Sequence, residues 1–89
     1  LLGAVEEVKN ATVAVRKEYE RYQALSKSVR NMQRVLSSMR DKYREGLIEF
    51  SDMLTTEQNL LTAQNNLAAS GGTVYRNIIT FYKAVGGGY

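Results

Sequence analysis

The chain has 89 residues, a formal charge of +3, and neither cysteine, histidine nor proline. One domain is the most this length supports. The missing residue types exclude disulfides, thiol nucleophiles, histidine acid–base chemistry and nearly all zinc sites. No apolar run approaches the ~20 residues of a membrane-spanning helix. The chain starts at Leu1 without a methionine, as an excised piece of a longer protein would.

Arm one, about residues 3–45, contains no helix breaker after Gly3. Its apolar residues recur every seven positions at Val8, Val15, Tyr22, Val29, Leu36 and Tyr43. A flanking column, Val5, Thr12 and Tyr19, decays into Ser26, Gln33 and Arg40, while Leu25, Met32 and Met39 turn the opposite flank apolar. The pattern predicts a helix in a left-handed seam with one three-residue step, Tyr19–Tyr22–Leu25, where the partner face changes or the coil overwinds. Lysine and arginine exceed acids ten to six over residues 1–46. The acids are interspersed, so the basic excess reads as a solvated face and argues against nucleic-acid binding.

The tip turn covers about residues 46–50. Gly46 reads as the left-handed residue that ends arm one, with Arg40, Lys42 and Arg44 complementing the last-turn carbonyls. Arm two, about residues 51–85, then starts at Ser51 or Glu49. Ser51 is the better cap by chemistry, and Asp52 suits a first helical turn.

Arm two carries three neighbouring apolar columns. Met53, Leu60, Leu67, Val74 and Phe81 form one, and Leu54, Leu61, Ala68, Tyr75 and Tyr82 the next. The third, from Phe50 through Glu57, Gln64, Gly71 and Ile78 to Val85, is apolar only at its ends. Such a stripe is wider than a two-helix seam uses and predicts a second neighbour. The uncharged polar surface over residues 55–66 suits either plain solvation or a face on a wet passage. Ser70-Gly71-Gly72 predicts a bend or a close helix approach, since each glycine costs about 1 kcal/mol relative to alanine. Gly86-Gly87-Gly88 is expected to end the helix. The fold class is therefore all-α, an antiparallel two-helix coiled-coil hairpin spanning residues 1–89.

No catalytic residue emerges. Asp41, Glu45, Glu49 and Asp52 cluster around the turn, but a lone hairpin offers no enclosure to shift a carboxyl pKa. The alternating oxygen ligands of a calcium loop are also missing. Neither a metal site nor a cofactor is expected.

Two stretches resemble the outer-membrane efflux proteins of the TolC type. Tyr43-Arg44-Glu45-Gly46-Leu47-Ile48-Glu49-Phe50-Ser51-Asp52-Met53-Leu54, followed by Gln58, Leu61 and Ala63-Gln64-Asn65-Asn66-Leu67-Ala68, is similar to their "YRxGLxxFxDVLxAQxxLxxAQxxLA" segment. Phe81-Tyr82-Lys83-Ala84-Val85-Gly86-Gly87-Gly88-Tyr89 resembles their "LYKALGGGW" ending, and the stretch from Glu6 to Ala11 their "EVENAL".

The resemblance implies a trimeric outer-membrane β-barrel that continues into a periplasmic α-barrel of twelve helices. This chain would be the second periplasmic hairpin of each protomer, a stave pair of that barrel. Touching the membrane only through the parent's β-barrel, it would lie in the periplasm of a Gram-negative cell. Its tip would close the exit duct at rest and dock a periplasmic adaptor protein. Carried over by motif, Arg44, Glu45, Gly46 and Leu47 fall at the adaptor-docking tip, and Tyr43 and Asp52 at the aperture. Asp52 would ring a cation-favouring constriction in threefold symmetry. Some members carry an arginine where this chain has Ile48 and a second acid where it has Thr55, and most keep the Gly71-Gly72 stretch continuously helical. From the residues alone, a free-standing helical-hairpin interaction module remains the alternative.

Overall fold

The computed structural model describes residues 2–87. It is an all-α hairpin of two antiparallel helices, α1 (Leu2–Arg44) and α2 (Phe50–Gly87). The described residues form two compact units. The turn unit comprises residues 24–67; the terminal unit pairs residues 2–23 with 68–87.

In the turn unit, Val29 and Leu36 of α1 bury against Met53 and Leu60 of α2, with Met32, Ile48, Ala63 and Leu67 packed around them. Leu36 is only 4% exposed. Burying an aliphatic side chain of this size stabilises by about 1.5–3 kcal/mol, so these four residues dominate the unit. Polar contacts flank them. The Thr56 hydroxyl lies 3.0 Å from Met39 Sδ, and Arg40 Nη2 reaches Glu57 Oε1 at 3.3 Å. That ion pair is exposed and contributes little.

The terminal unit is held differently. Its smallest side chains face the seam: Ala11 is buried, Ala4 and Ala14 are half-buried on α1, and so is Ala84 on α2. Ser70 is completely buried, and its hydroxyl donates to Glu18 Oε2 at 2.5 Å. Asn77 Nδ2 donates to the Ala14 carbonyl at 3.3 Å. The unit's seam thus combines close approach with satisfied polar groups, and among the described residues no buried side-chain nitrogen or oxygen lacks a partner.

These contacts correct the column assignment. The covered positions on α1 run Ala4, Val8, Ala11, Val15, Glu18, Tyr22, Leu25, Val29, Met32, Leu36 and Met39, an unbroken four–three alternation. No three-residue step exists at Tyr19, which is exposed together with Val5. Glu18 takes the seam position that hydrophobicity alone gives to Tyr19. On α2, the column of Met53, Leu60, Leu67, Val74 and Phe81 does face α1. Its companion, however, is Thr56, Ala63, Ser70, Asn77 and Ala84. Leu54, Leu61, Tyr75 and Tyr82 are exposed. Small residues let two helix backbones come together, whereas a second bulky column would hold them apart.

Of two further expectations, one narrows to a single alternative and the other changes. Helix α2 runs without a break through Ser70-Gly71-Gly72, where a Cβ added to Gly71 would stand 3.3 Å from Tyr22 Cε2. Of the two alternatives, a close helix approach is the one present, at Gly71. The helix also continues through Gly86 and Gly87, while Gly88 lies outside the described residues. Glycine weakens a helix without removing a hydrogen-bond donor, so it ends one only when the following backbone turns away.

Candidate functional site at the helical turn

The turn is built by its backbone. Gly46 has φ +78°, the left-handed conformation that costs an L-residue with a side chain about 1–2 kcal/mol. Its amide bonds the Tyr43 carbonyl at 3.0 Å, and the Leu47 amide bonds the Lys42 carbonyl at 2.9 Å. This pair of bonds is the complete Schellman motif, which satisfies two of the last carbonyls of α1. Residues 42–47 are therefore held in one conformation by hydrogen bonds.

Helix α2 begins earlier than Ser51. The Glu49 carbonyl accepts from the Asp52 amide at 3.2 Å and from the Met53 amide at 3.4 Å, so Glu49 is the flanking cap residue. Of the two starts considered, Glu49 is the one adopted. Ser51 lies inside the first turn because Met53 must already be helical to reach the buried seam. Asp52 is exposed in that first turn, where the positive end of the helix dipole favours a carboxylate.

The side chains around Gly46 divide into two sets. Leu47 is 67% exposed, and Phe50 and Tyr43 are exposed beside it, their rings 5.8 Å apart and tilted by 58°. Together they make a small aromatic–aliphatic cap on the turn. Arg44 and Glu45 are solvent-exposed, and Arg44 reaches Asp41 at 3.5 Å. Ile48 points the other way and packs on the Val29–Leu36–Met53–Leu60 cluster. Position 48, where the resembled family carries an arginine in some members, is therefore a plug for the seam in this chain.

Phe50 escaped the sequence reading. It ends the third apolar column of α2, and it is exposed, with its ring against Tyr43.

The geometry defines a rigid helical turn with an apolar crown, a shape suited to packing against other helices. The family comparison gives that class an ancestry: residues 1–87 match the outer membrane efflux protein family, and the chain belongs to it. Nodulation protein T of Rhizobium leguminosarum bv. trifolii is 29% identical over 89 residues, covering all of this chain and 19% of that protein. No solved structure matches. Among the described residues, no helix is long and apolar enough to cross a membrane.

Proposed function

We infer that this chain is the periplasmic tip hairpin of an outer-membrane efflux duct, forming part of the tunnel wall and aperture and docking a periplasmic adaptor protein. The observation that carries the reading is the Schellman turn at Gly46, which presents Leu47 to solvent on a backbone that cannot readily rearrange. A preformed protruding residue loses little entropy when it inserts between the helices of a partner. Gly46 and Leu47 make the contact, Arg44 and Glu45 surround it with charge, and Tyr43 and Asp52 stand toward the aperture.

The rest of the molecule supports the same role. Leu54, Leu61, Tyr75 and Tyr82 leave a heptad-spaced apolar face uncovered on α2, as a stave that touches a second neighbour requires. In the trimeric parent, three Asp52 carboxylates would ring the duct and favour cations. The aperture works here without the arginine at position 48, because Ile48 is committed to the seam. The parent's β-barrel, not this segment, would hold it in the outer membrane.

The test uses the assembled parent protein with its adaptor. Leu47→Ala and Gly46→Ala should weaken adaptor capture while helicity is retained. Adaptor capture at the wild-type level by both variants would sink the docking assignment. Separately, Asp52→Asn should lower the cation preference of single-channel conductance; identical selectivity would remove Asp52 from the aperture.

A further inference from the structure

We propose that Glu18 and Tyr22 of α1, seated on Ser70 and Gly71 of α2, form a phase lock that fixes which face of α1 enters the seam of the terminal unit. Two faces compete there. One presents Ala4, Ala11 and Glu18 beside Val8, Val15 and Tyr22; the other presents Val5, Thr12 and Tyr19 beside the same column. The second face is bulkier and more apolar, and burial of area alone favours it. The first is the one adopted, with Tyr19 and Val5 left exposed.

The contacts at Ser70 and Gly71 account for this choice. Ser70 is the only fully buried side chain of the described residues, and its hydroxyl needs an acceptor. Glu18 supplies it at 2.5 Å, and Arg21 Nη1 holds the same carboxylate oxygen at 3.0 Å. One helical turn further on, the Tyr22 ring lies where a Cβ on Gly71 would stand 3.3 Å from Cε2 and 3.8 Å from Cδ2. Rolling α1 toward Tyr19 would strip the acceptor from Ser70 and shift Tyr22 off its recess at Gly71 while leaving it on the seam column. A polar pair at one seam position is a well-attested means of choosing between near-equal apolar pairings.

The lock has a consequence for the free surface. Tyr19 stays outside, in a groove of about 400 Å³ with Val15, Ile78, Phe81 and Tyr82. Its ring stacks on Tyr22 at 6.5 Å with an interplanar angle of 17°. Tyr22 stays on the seam column in both phases, so the reactivity of Tyr19 relative to Tyr22 reports the phase.

Tyrosine nitration with tetranitromethane, mapped by peptide mass in the dilute 89-residue chain, reads the phase. In the wild type, Tyr19 should be nitrated several times faster than Tyr22. Ser70→Leu removes the donor and fills the site, and should bring the Tyr19 rate down to that of Tyr22 at retained helicity. Tyr19 still several times faster in a helical Ser70→Leu chain would overturn the lock, as would a wild type in which Tyr22 reacts first. Should Ser70→Leu lose helicity, Glu18→Lys provides the decision, because a lysine there can reach solvent. The Tyr19-to-Tyr22 rate ratio should then fall at least threefold, and an unchanged ratio would refute the proposal.

Discussion

Replacing Gly71 and Gly72 by alanine, one at a time, separates intrinsic helix propensity from packing at adjacent positions. Both glycines are interior to α2, where alanine gains about 1 kcal/mol from propensity alone. At Gly72 the added methyl group meets only Arg76 Nη1, at 3.4 Å, the far end of a flexible side chain. Nearly all of the gain should therefore appear. At Gly71 the methyl group stands 3.3 Å from the Tyr22 ring, which must give way by a few tenths of an ångström. That ring is also stacked with Tyr19, their centroids 6.5 Å apart. Displacing a packed side chain costs about 1 kcal/mol at the low end of overpacking, so the net effect at Gly71 is close to zero. The two alanine variants should differ by about 1 kcal/mol, or about 4–8 °C in Tm for a chain of this size. Thermal unfolding followed by far-UV circular dichroism measures the difference. In a Tyr22→Ala background the obstacle is gone, and both substitutions should stabilise alike. If Gly71→Ala stabilises the wild-type chain as much as Gly72→Ala does, the close approach of Tyr22 to Gly71 is not a constraint and the reasoning fails.

Other consequences are open to direct measurement. Gly46→Ala meets no atom within 4 Å, so its cost is that of the left-handed backbone alone, about 1–2 kcal/mol by denaturant unfolding. Leu36→Ala should lose about 2–3 kcal/mol, the lower part of the range for a buried leucine, because a two-helix seam can partly close over the gap. The Glu18 carboxyl is held below its ordinary value of 4.5, first by the Ser70 hydroxyl and then by Arg21, against the opposing effect of desolvation. A depressed folded-state pKa gives stability that is present above the unfolded value and lost as pH falls through the folded one. Ser70→Ala should therefore be less stable than the wild type at neutral pH, with the gap narrowing once the pH drops below about 4.5. A gap that stays constant from pH 7 to pH 3 would rule out the carboxylate form as the partner of Ser70.

The turn was legible because its signal is local. A glycine in an otherwise unbroken heptad pattern, with Arg44 and Lys42 in the preceding turn, specifies a helix end through backbone sterics that act over a few residues. The start of α2 was less so. Ser51 is a good cap by chemistry, but the reach from Gly46 back to the buried Met53 places the first helical residue at Phe50. Leu47 and Phe50 share the exposed crown for a reason the heptad columns do not contain: the turn carries the chain out of the seam before Phe50 re-enters the helix. The motif that Tyr43, Gly46, Leu47 and Asp52 belong to could be read directly, whereas the commitment of Ile48 to the seam required the neighbouring side chains.

By itself, the sequence determined an all-α hairpin, its turn at Gly46 and an apolar surface in excess of what one seam can bury. Heptad spacing and a single left-handed glycine suffice for these, because both act through the geometry of the helix itself. Only the tertiary structure decided which part of the excess faces inward. Hydrophobicity ranks Tyr19, Leu54, Leu61, Tyr75 and Tyr82 ahead of Glu18, Thr56, Ser70 and Asn77, yet the seam takes the second set and leaves the first exposed. The physical reason is that a close helix pair selects for small volume and satisfied hydrogen bonds opposite each large residue. That requirement belongs to pairs of residues on different helices, and no column read along one helix contains it.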